Sequence, residues 1–527
     1  MTPGAGGQTF SALDQPAGSS EVSLLFPDSS RPPPTPLEGE WLADLRLDQL
    51  ISLVTVGREP YRLADLFHQR VQGPELVRYR QAVCRDLERP EVAGPWREFS
   101  RALAGTGACL ARVDQLRHPL ERGLWFLEAV MEYVRGVERL GESLGRAESL
   151  SRGMEAARRV VRDYVESPEF SAIADQSREL AARLAGIRYA VRVVGNRVAV
   201  MRFAGEPDLS EEVTRVFARF QQGPAESRQF TFSRAGSLDS VELRILDRVA
   251  RLFPTQFAGL QEFWRRSLQF RNPVLAELDR EAQFYLAYLD FLEPLRSSGL
   301  PVCYPELAGP GDATEAQSAY DLVLAEKLRE LGQEVVGNDF SLAGEERFLV
   351  VSGPNQGGKT TFAVTFGQVH HLTALGLPVA GRRARVAPCD AILTHFGRTE
   401  ELADGRGRLE SDLAALAAIL AQATDRSIVI LNETFGSASL QDARAVGRLA
   451  LERLIATGSR GVFVTFIDEL ALLGPATVSM VSTVVPEDPA ERTFKVVRRP
   501  PDGLAYALAI ARKYGLTHDQ LTGRLRR

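Results

Sequence analysis

Lysine is close to absent from this chain. Lys327, Lys359, Lys495 and Lys513 are the only four among 63 basic residues in 527 positions, so arginine supplies nearly all the positive charge. A lysine kept at a chemically demanding slot is therefore informative. Cysteine is scarce too. Cys84, Cys109, Cys303 and Cys389 are scattered without metal-ligand spacing, which argues against a zinc site or a disulfide framework and reads as reduced thiols. There is no signal peptide and no apolar run long enough to span a membrane, so the expectation is a cytosolic protein with no membrane partner. Charge of one sign is not in large excess either. The formal net charge is −5, so contact with nucleic acid would have to come from a local basic patch. What is present is a hydrophobic share of 44%, enough for large cores, in a length that implies several domains.

The most informative stretch is Phe348 to Thr361. An apolar β-type run, Phe348–Val351, leads into Gly353-Pro354-Asn355-Gln356-Gly357-Gly358-Lys359-Thr360-Thr361, and a helix-like run continues to Leu375. Strand, glycine loop G-x-x-x-x-G-K-T and helix form the context of a P-loop. Glycines let backbone N–H groups face phosphates, and the helix start adds partial positive charge. Lys359 would reach the β- and γ-phosphates, and the Thr360 hydroxyl would hold Mg²⁺. The bland alternative is a chance glycine-rich turn.

In chain order, residues 1–38 are rich in Gly, Ser and Pro and read as a disordered leader. Residues 39–186 carry helical periodicity, with apolar faces such as Leu42, Leu45, Leu47, Leu50, Ile51 and Leu110, Val113, Leu116, Leu120, Leu124. Their many charges read as solvated helix faces. The period changes at Ile187–Val194 and Arg197–Phe203 around Gly195-Asn196, which predicts a β-hairpin, with a third strand at Gln229–Ser233. Arg188, Arg192, Arg197 and Arg202 give the hairpin a purely positive charge suited to DNA phosphates. An equally good reading packs the hairpin on its own helices with snorkelling arginines. Helices resume over 237–299. From residue 300 strand and helix alternate, with strands at Phe348–Val351, Ser427–Leu431, Val462–Thr465, Val478–Val485 and Thr493–Arg498. Helices are expected at Thr360–Leu375, Leu409–Ala423, Asp442–Thr457 and Gly503–Tyr514. This pattern predicts an α/β nucleotide-binding domain. The whole is α+β and multidomain, with helical arms carrying a small β tip.

A second chemical motif closes the strand Ser427–Leu431 with Asn432-Glu433. P-loop enzymes place a Mg²⁺-associated acid and then a water-orienting base at such a strand end. Glu433 fits the catalytic base. Asn432 stands where an acid would be expected and would be a weaker, neutral metal ligand. The bland alternative is a polar strand end without chemistry.

Taken together these segments resemble the MutS family of DNA mismatch-repair ATPases. Val336-Gly-Asn338-Asp-Phe followed by the glycine loop is similar to the family's P-N-D and G-P-N-M-G-G-K-S-T block. Asp390 through Gly397, Gly405, Gly407 and Asp412 resembles its D-R-I-F-T-R-I-G block. Asn432-Glu433-Thr-Phe-Gly-Ser-Ala-Ser439 resembles D-E-x-G-R-G-T-S. Lys495 through Tyr506 to Leu516 resembles the family's closing motif. The likeness covers about residues 40–516 and is most specific over 336–516.

The resemblance implies a helical core and lever over 39–186 and 237–299 and a reduced DNA-touching clamp over 187–236. It further implies an ABC-type P-loop ATPase domain over 300–516 that binds ATP and Mg²⁺ and forms a homodimer, with 517–527 as a short tail. Asn338 and Gly353 through Thr361 would bind nucleotide, and Thr360 and Asn432 the metal. The expected partner is double-stranded DNA, mismatched or branched, in a bacterial, nucleoid-associated setting. The N-terminal mismatch-reading domain of the family has no counterpart in the sequence pattern. Three departures thin the hydrolytic shell: Asn432 for the acid, Gly407 for a serine and Phe466 for a histidine. The expectation is tight ATP binding with weak, DNA-dependent ATP hydrolysis. The competing expectation is a non-hydrolysing ATP-binding scaffold that recruits a protein partner; DNA-stimulated turnover separates the two.

Overall fold

The computed structural model describes residues 22–27, 39–69, 73–194, 197–205, 238–309, 312–397, 408–436, 438–485 and 491–501. The chain divides into two compact units. One takes in 90–149 and 156–279, the other 21–89, 150–155 and 280–527.

The first unit is helical with one hairpin. Its helices include Pro90–Gln115, Pro119–Arg146, Pro168–Ala185, Ser240–Leu252 and Pro254–Arg266. Proline stands at the first turn of several, where its missing N–H leaves no bond unmade. Ser167 caps one helix through the Phe170 N–H, and Asp239 with Glu242 forms a reciprocal capping box on another. Buried aromatics bind these helices together: the Phe126 ring lies 4.9 Å from Trp264 and 5.7 Å from Phe270. The expected hairpin is present as β1 (Tyr189–Val194) and β2 (Arg197–Arg202), antiparallel in the register Val194↔Arg197 to Tyr189↔Arg202. The expected third strand, Gln229–Ser233, lies outside the described residues.

Among the described residues the second unit holds the remaining strands: β3 (Val302–Cys303), β4 (Glu306–Leu307), β5 (Thr314–Ala319), β6 (Asn338–Leu342), β7 (Phe348–Ser352), β8 (Val379–Ala380), β9 (Arg383–Val386), β10 (Ile392–Phe396), β11 (Ile428–Asn432), β12 (Arg460–Val464), β13 (Thr477–Val484) and β14 (Arg492–Arg498). Six of them form one sheet in the order β10-β11-β12-β7-β13-β14, parallel except for β14. Its central strands are buried at every position of β7 and β11, the mark of a sheet covered on both faces. The helices Lys359–Ala374, Arg408–Gln422 and Leu440–Thr457 belong to this unit, and Phe348, Val350, Val429, Leu431, Leu451, Leu454 and Phe463 share one core cluster. A second sheet, β4-β9-β5-β6, and the pair β3-β8 accompany it. The predicted helix Gly503–Tyr514 lies outside the described residues.

The reading of 1–38 as a structureless leader needs correction within 22–27. Leu24 and Leu25 are fully buried and Phe26 nearly so. Three adjacent apolar side chains found a groove in the second unit, and their burial outweighs the Gly, Ser and Pro bias around them.

Candidate functional site

The site is built at the carboxyl end of β7. In open α/β sheets this end of the strands is where ligands are held. Strand β12 lies between β7 and β11 and pairs Val464 with both Val351 and Asn432, so the ends of β7 and β11 stand level. The chain leaves β7 at Gly353 (φ +115°), where a Cβ would come within 2.8 Å of the Ser482 carbonyl oxygen. At Gly357 a Cβ would meet Ser482 Oγ at 2.1 Å. Only glycine allows this approach of the loop to β13. The Ser482 hydroxyl then donates to the Gly357 carbonyl at 2.7 Å and fastens the loop. Gln356 is held at φ +60° within the same turn.

Lys359 opens the helix behind the loop and is only 4% exposed. Its ammonium donates to the carbonyls of Gly353 (2.9 Å) and Pro354 (3.2 Å) and to Asn355 Oδ1 (3.2 Å). Glu433 Oε1 lies 3.9 Å away. Burial lowers the Lys359 pKa below the ordinary lysine value, with the Glu433 carboxylate opposing the shift. A desolvated cation beside a helix N-terminus can bind an anion, which would restore the charge balance that burial removes.

Thr360 Oγ1 donates to Asn432 Oδ1 at 3.1 Å, which joins the glycine loop to the end of β11. Asn432 is buried, and its carbonyl accepts the Gly397 N–H. The two neutral oxygens suit a Mg²⁺ ion that keeps several waters and is held chiefly by phosphate. Among the described residues no group of three His, Cys, Asp or Glu side chains could hold a metal by itself.

Glu433 follows in a left-handed conformation (φ +51°), with half its side chain exposed and its N–H bonded to the Val464 carbonyl. Phe435 is left-handed as well (φ +68°). Asp412, buried, accepts the Phe435 N–H at 3.2 Å through Oδ2 and pairs with His395 Nε2 at 2.9 Å through Oδ1. This His395–Asp412 pair carried no role in the sequence reading, although both residues fall inside the motif-bearing stretch. Ser482 gave no sequence signal at all.

Of the other predicted residues, Asn338 starts β6 and ties it to β14: its Nδ2 donates to the Phe494 carbonyl at 3.1 Å and its Oδ1 accepts the Val496 N–H at 2.8 Å. Arg492 Nε donates to the Asn355 carbonyl, so β14 also touches the loop. Thr361 sits in the first helical turn and its carbonyl accepts from the Thr365 hydroxyl. Phe466 is half exposed beyond the end of β12. Gly407 lies outside the described residues. Pro354, Asn355, Gln356, Gly358 and Lys359 are thus brought together with Thr360, Asn432 and Glu433, whereas Asn338 meets the loop's surroundings through β14.

The hairpin arginines belong to the other unit and divide between two faces. Alternation along β1 and β2 puts Arg192 and Arg197 on one face, with Arg188 in phase, and Arg202 on the opposite one. All four are exposed. Arg202 donates to the Leu252 carbonyl at 2.6 Å and its guanidinium lies 5.0 Å from the Phe253 ring centroid, so it packs on the neighbouring helix.

Comparison with known proteins adds sequence likeness. The profile of MutS domain V matches residues 349–520, a stretch that contains the glycine loop, Asn432 and Glu433. The chain is 27% identical over 287 residues to a DNA mismatch repair protein MutS of Chlorobium phaeovibrioides, covering 53% of this chain and 31% of that protein. It is 30% identical over 200 residues to the MutS of Thermotoga maritima, covering 38% and 24%. An endonuclease MutS2 of Thermus thermophilus is 26% identical over 451 residues, covering 81% of this chain and 57% of that protein. The matched stretches thus span about a quarter to a third of the two MutS relatives and a little over half of the MutS2 protein.

Proposed function

The chain belongs to the MutS family, and from that premise we propose that it is an ATP-dependent DNA-binding protein acting in mismatch repair or recombination control. The observation that carries the nucleotide part is the ring of acceptors around the buried Lys359 ammonium, level with the Thr360–Asn432 bond and the Glu433 carboxylate. In this reading residues 300–516 act as the P-loop ATPase domain and residues 187–236 as a reduced clamp. Lys359 binds the β- and γ-phosphates and the loop amides seat them. Thr360 and Asn432 would hold Mg²⁺, which when bound neutralises phosphate charge. Glu433 orients the attacking water as the base. Asn432 brings no charge to the metal, so turnover is slow and the bound state long-lived. ATP-gated pairing of two copies through this domain, and a preference for mismatched or branched double-stranded DNA, complete the proposal.

Among the described residues no helix is long and apolar enough to cross a membrane. The test is a gel-shift panel of homoduplex, mismatch, fork and four-way junction, with and without ATP, alongside ATP turnover on each DNA. An ATP-dependent change in DNA affinity with slow, DNA-stimulated turnover is expected. ATP binding without DNA binding or turnover would move the protein to the role of a non-hydrolysing scaffold.

A further inference from the structure

Residues 22–27 do not pair with a strand edge or extend a helix. Their backbone is read by side chains from two helices, Pro74–Glu88 and Pro273–Ser297. The Tyr79 hydroxyl donates to the Ser23 carbonyl at 2.5 Å, the Tyr285 hydroxyl to the Leu24 carbonyl at 2.9 Å and Arg80 Nε to the Leu25 carbonyl at 3.0 Å. Glu281 accepts the Leu24 N–H at 2.6 Å and the Ser23 hydroxyl at 2.7 Å. Ser23 Oγ in turn accepts the N–H groups of Leu25 and Phe26, which closes a tight turn. The Phe26 ring lies 5.0 Å from the Arg80 guanidinium carbon.

The receiving groups are themselves buried. Arg80 and Tyr285 are fully buried and Glu281 is 1% exposed. Even with the segment in place, Arg80 Nη1 and Nη2 have no hydrogen-bond partner among the described residues. Burial lowers the Arg80 pKa while Tyr285 and Glu281 oppose the shift. Vacated, the groove would open these groups to water; filled, it matches them to carbonyls and N–H groups at this spacing. A short peptide folded in this turn has them, and Leu24, Leu25 and Phe26 supply the apolar anchors.

We propose that this groove is a peptide-recognition site for a Ser-Leu-Leu-Phe segment folded in this turn, filled by the chain's own residues 22–27 as a dissociable ligand. The tether keeps the segment at high effective concentration, so a free peptide competes only at millimolar levels while the chain is intact and far more readily once the tether is cut.

The test keeps the full chain. A site-specific protease sequence is inserted between Arg31 and Pro32, the protein is folded, and the tether is then cleaved. The amino-terminal fragment should co-elute with the body on gel filtration, and a synthetic peptide of residues 21–28 should release it, whereas a scrambled peptide should not. A labelled copy of the peptide should bind the emptied body, and Glu281→Gln or Tyr285→Phe should each weaken that binding about tenfold or more. Three results would overturn the proposal. They are departure of the fragment on cleavage alone, retention against millimolar peptide, and equal release by the scrambled sequence.

Discussion

Asp412 accepts the backbone N–H of Phe435 at 3.2 Å, and the turn it fastens holds Glu433 at φ +51° and Phe435 at φ +68°. Neither residue is glycine, and such conformations persist only where their surroundings enforce them. The other Asp412 oxygen is committed to His395 at 2.9 Å, which fixes the carboxylate in turn. Asp412 thereby braces the turn that carries Glu433, whose carboxylate lies 3.9 Å from the Lys359 ammonium.

The first prediction follows. Asp412→Ala should leave ATP affinity within about twofold and lower turnover about tenfold, a loss near 1.4 kcal/mol of transition-state stabilisation. Combined with Glu433→Ala it should cost nothing further, because it acts through that side chain. Additive losses in the double variant would assign Asp412 a separate role. Amide exchange at Phe435 should rise in Asp412→Ala without added nucleotide, a readout independent of catalysis.

The second prediction concerns Lys359. Its ammonium is the positive side chain within the loop, so Lys359→Ala should weaken ATP binding at least tenfold, about 1.4 kcal/mol. The lowered pKa adds a pH signature. Phosphate favours the protonated lysine and raises its pKa, so binding takes up protons wherever the free site has begun to lose them. ATP affinity should therefore fall as pH rises through the alkaline range below the ordinary lysine value, and Lys359→Ala should flatten this dependence. A titration series by calorimetry in buffers of different ionisation enthalpy measures both the affinity and the proton uptake.

Much of the second unit was legible because buried parallel strands read as unbroken apolar runs. Phe348–Val351 and Ser427–Leu431 are of that kind, and the structure places them as β7 and β11 with boundaries shifted by a residue or so. Strand β10 was not legible. Ile392-Leu-Thr-His-Phe396 is an edge strand, partly exposed throughout, whose Thr394 bonds Asp44 at 2.6 Å and whose His395 bonds Asp412. Its polar residues serve side-chain partners that periodicity cannot reveal. The polar strand β5, Thr-Glu-Ala-Gln-Ser-Ala, escaped for the same reason, and strand order carries no local signature. Lys359, Thr360, Asn432 and Glu433 each lie in a motif, whereas Ser482, which fastens the glycine loop from β13, has no local signature. The groove for Leu24–Phe26 was not legible, because its lining comes from positions more than fifty residues away in the chain.

The third prediction concerns the hairpin. Arg188, Arg192 and Arg197 are exposed and share one phase, while Arg202 packs on Phe253 and the Leu252 carbonyl. Reversing the first three to Glu should weaken binding to every DNA alike and reduce the salt slope by roughly one unit per lost phosphate contact. Arg202→Ala should change the salt slope less and lower the hairpin's thermal stability more. If all four behave alike, or if the triple variant keeps both affinity and slope, the DNA contact lies on another surface.

The fourth prediction sets two neighbours against each other. Asn432 is buried and receives the Thr360 hydroxyl, while Glu433 stands half exposed beside the Lys359 ammonium. If Glu433 orients the water as proposed, replacing it by Ala should leave only residual turnover while ATP still binds. Replacing Asn432 by Asp keeps the side-chain volume and one acceptor oxygen for Thr360, and it adds a charge that an amide lacks. Mg²⁺ should then be held more tightly and turnover should rise several-fold, because the metal draws charge from the developing transition state. The two variants should therefore move turnover in opposite directions at nearly constant ATP affinity. Single-turnover measurements with saturating Mg²⁺, with and without DNA, separate chemistry from nucleotide release. Should wild type and Asn432→Asp both fail to cleave ATP on any DNA, Glu433 is no base. The site would then be a nucleotide-binding switch, with the Thr360–Asn432 bond tying the glycine loop to β11.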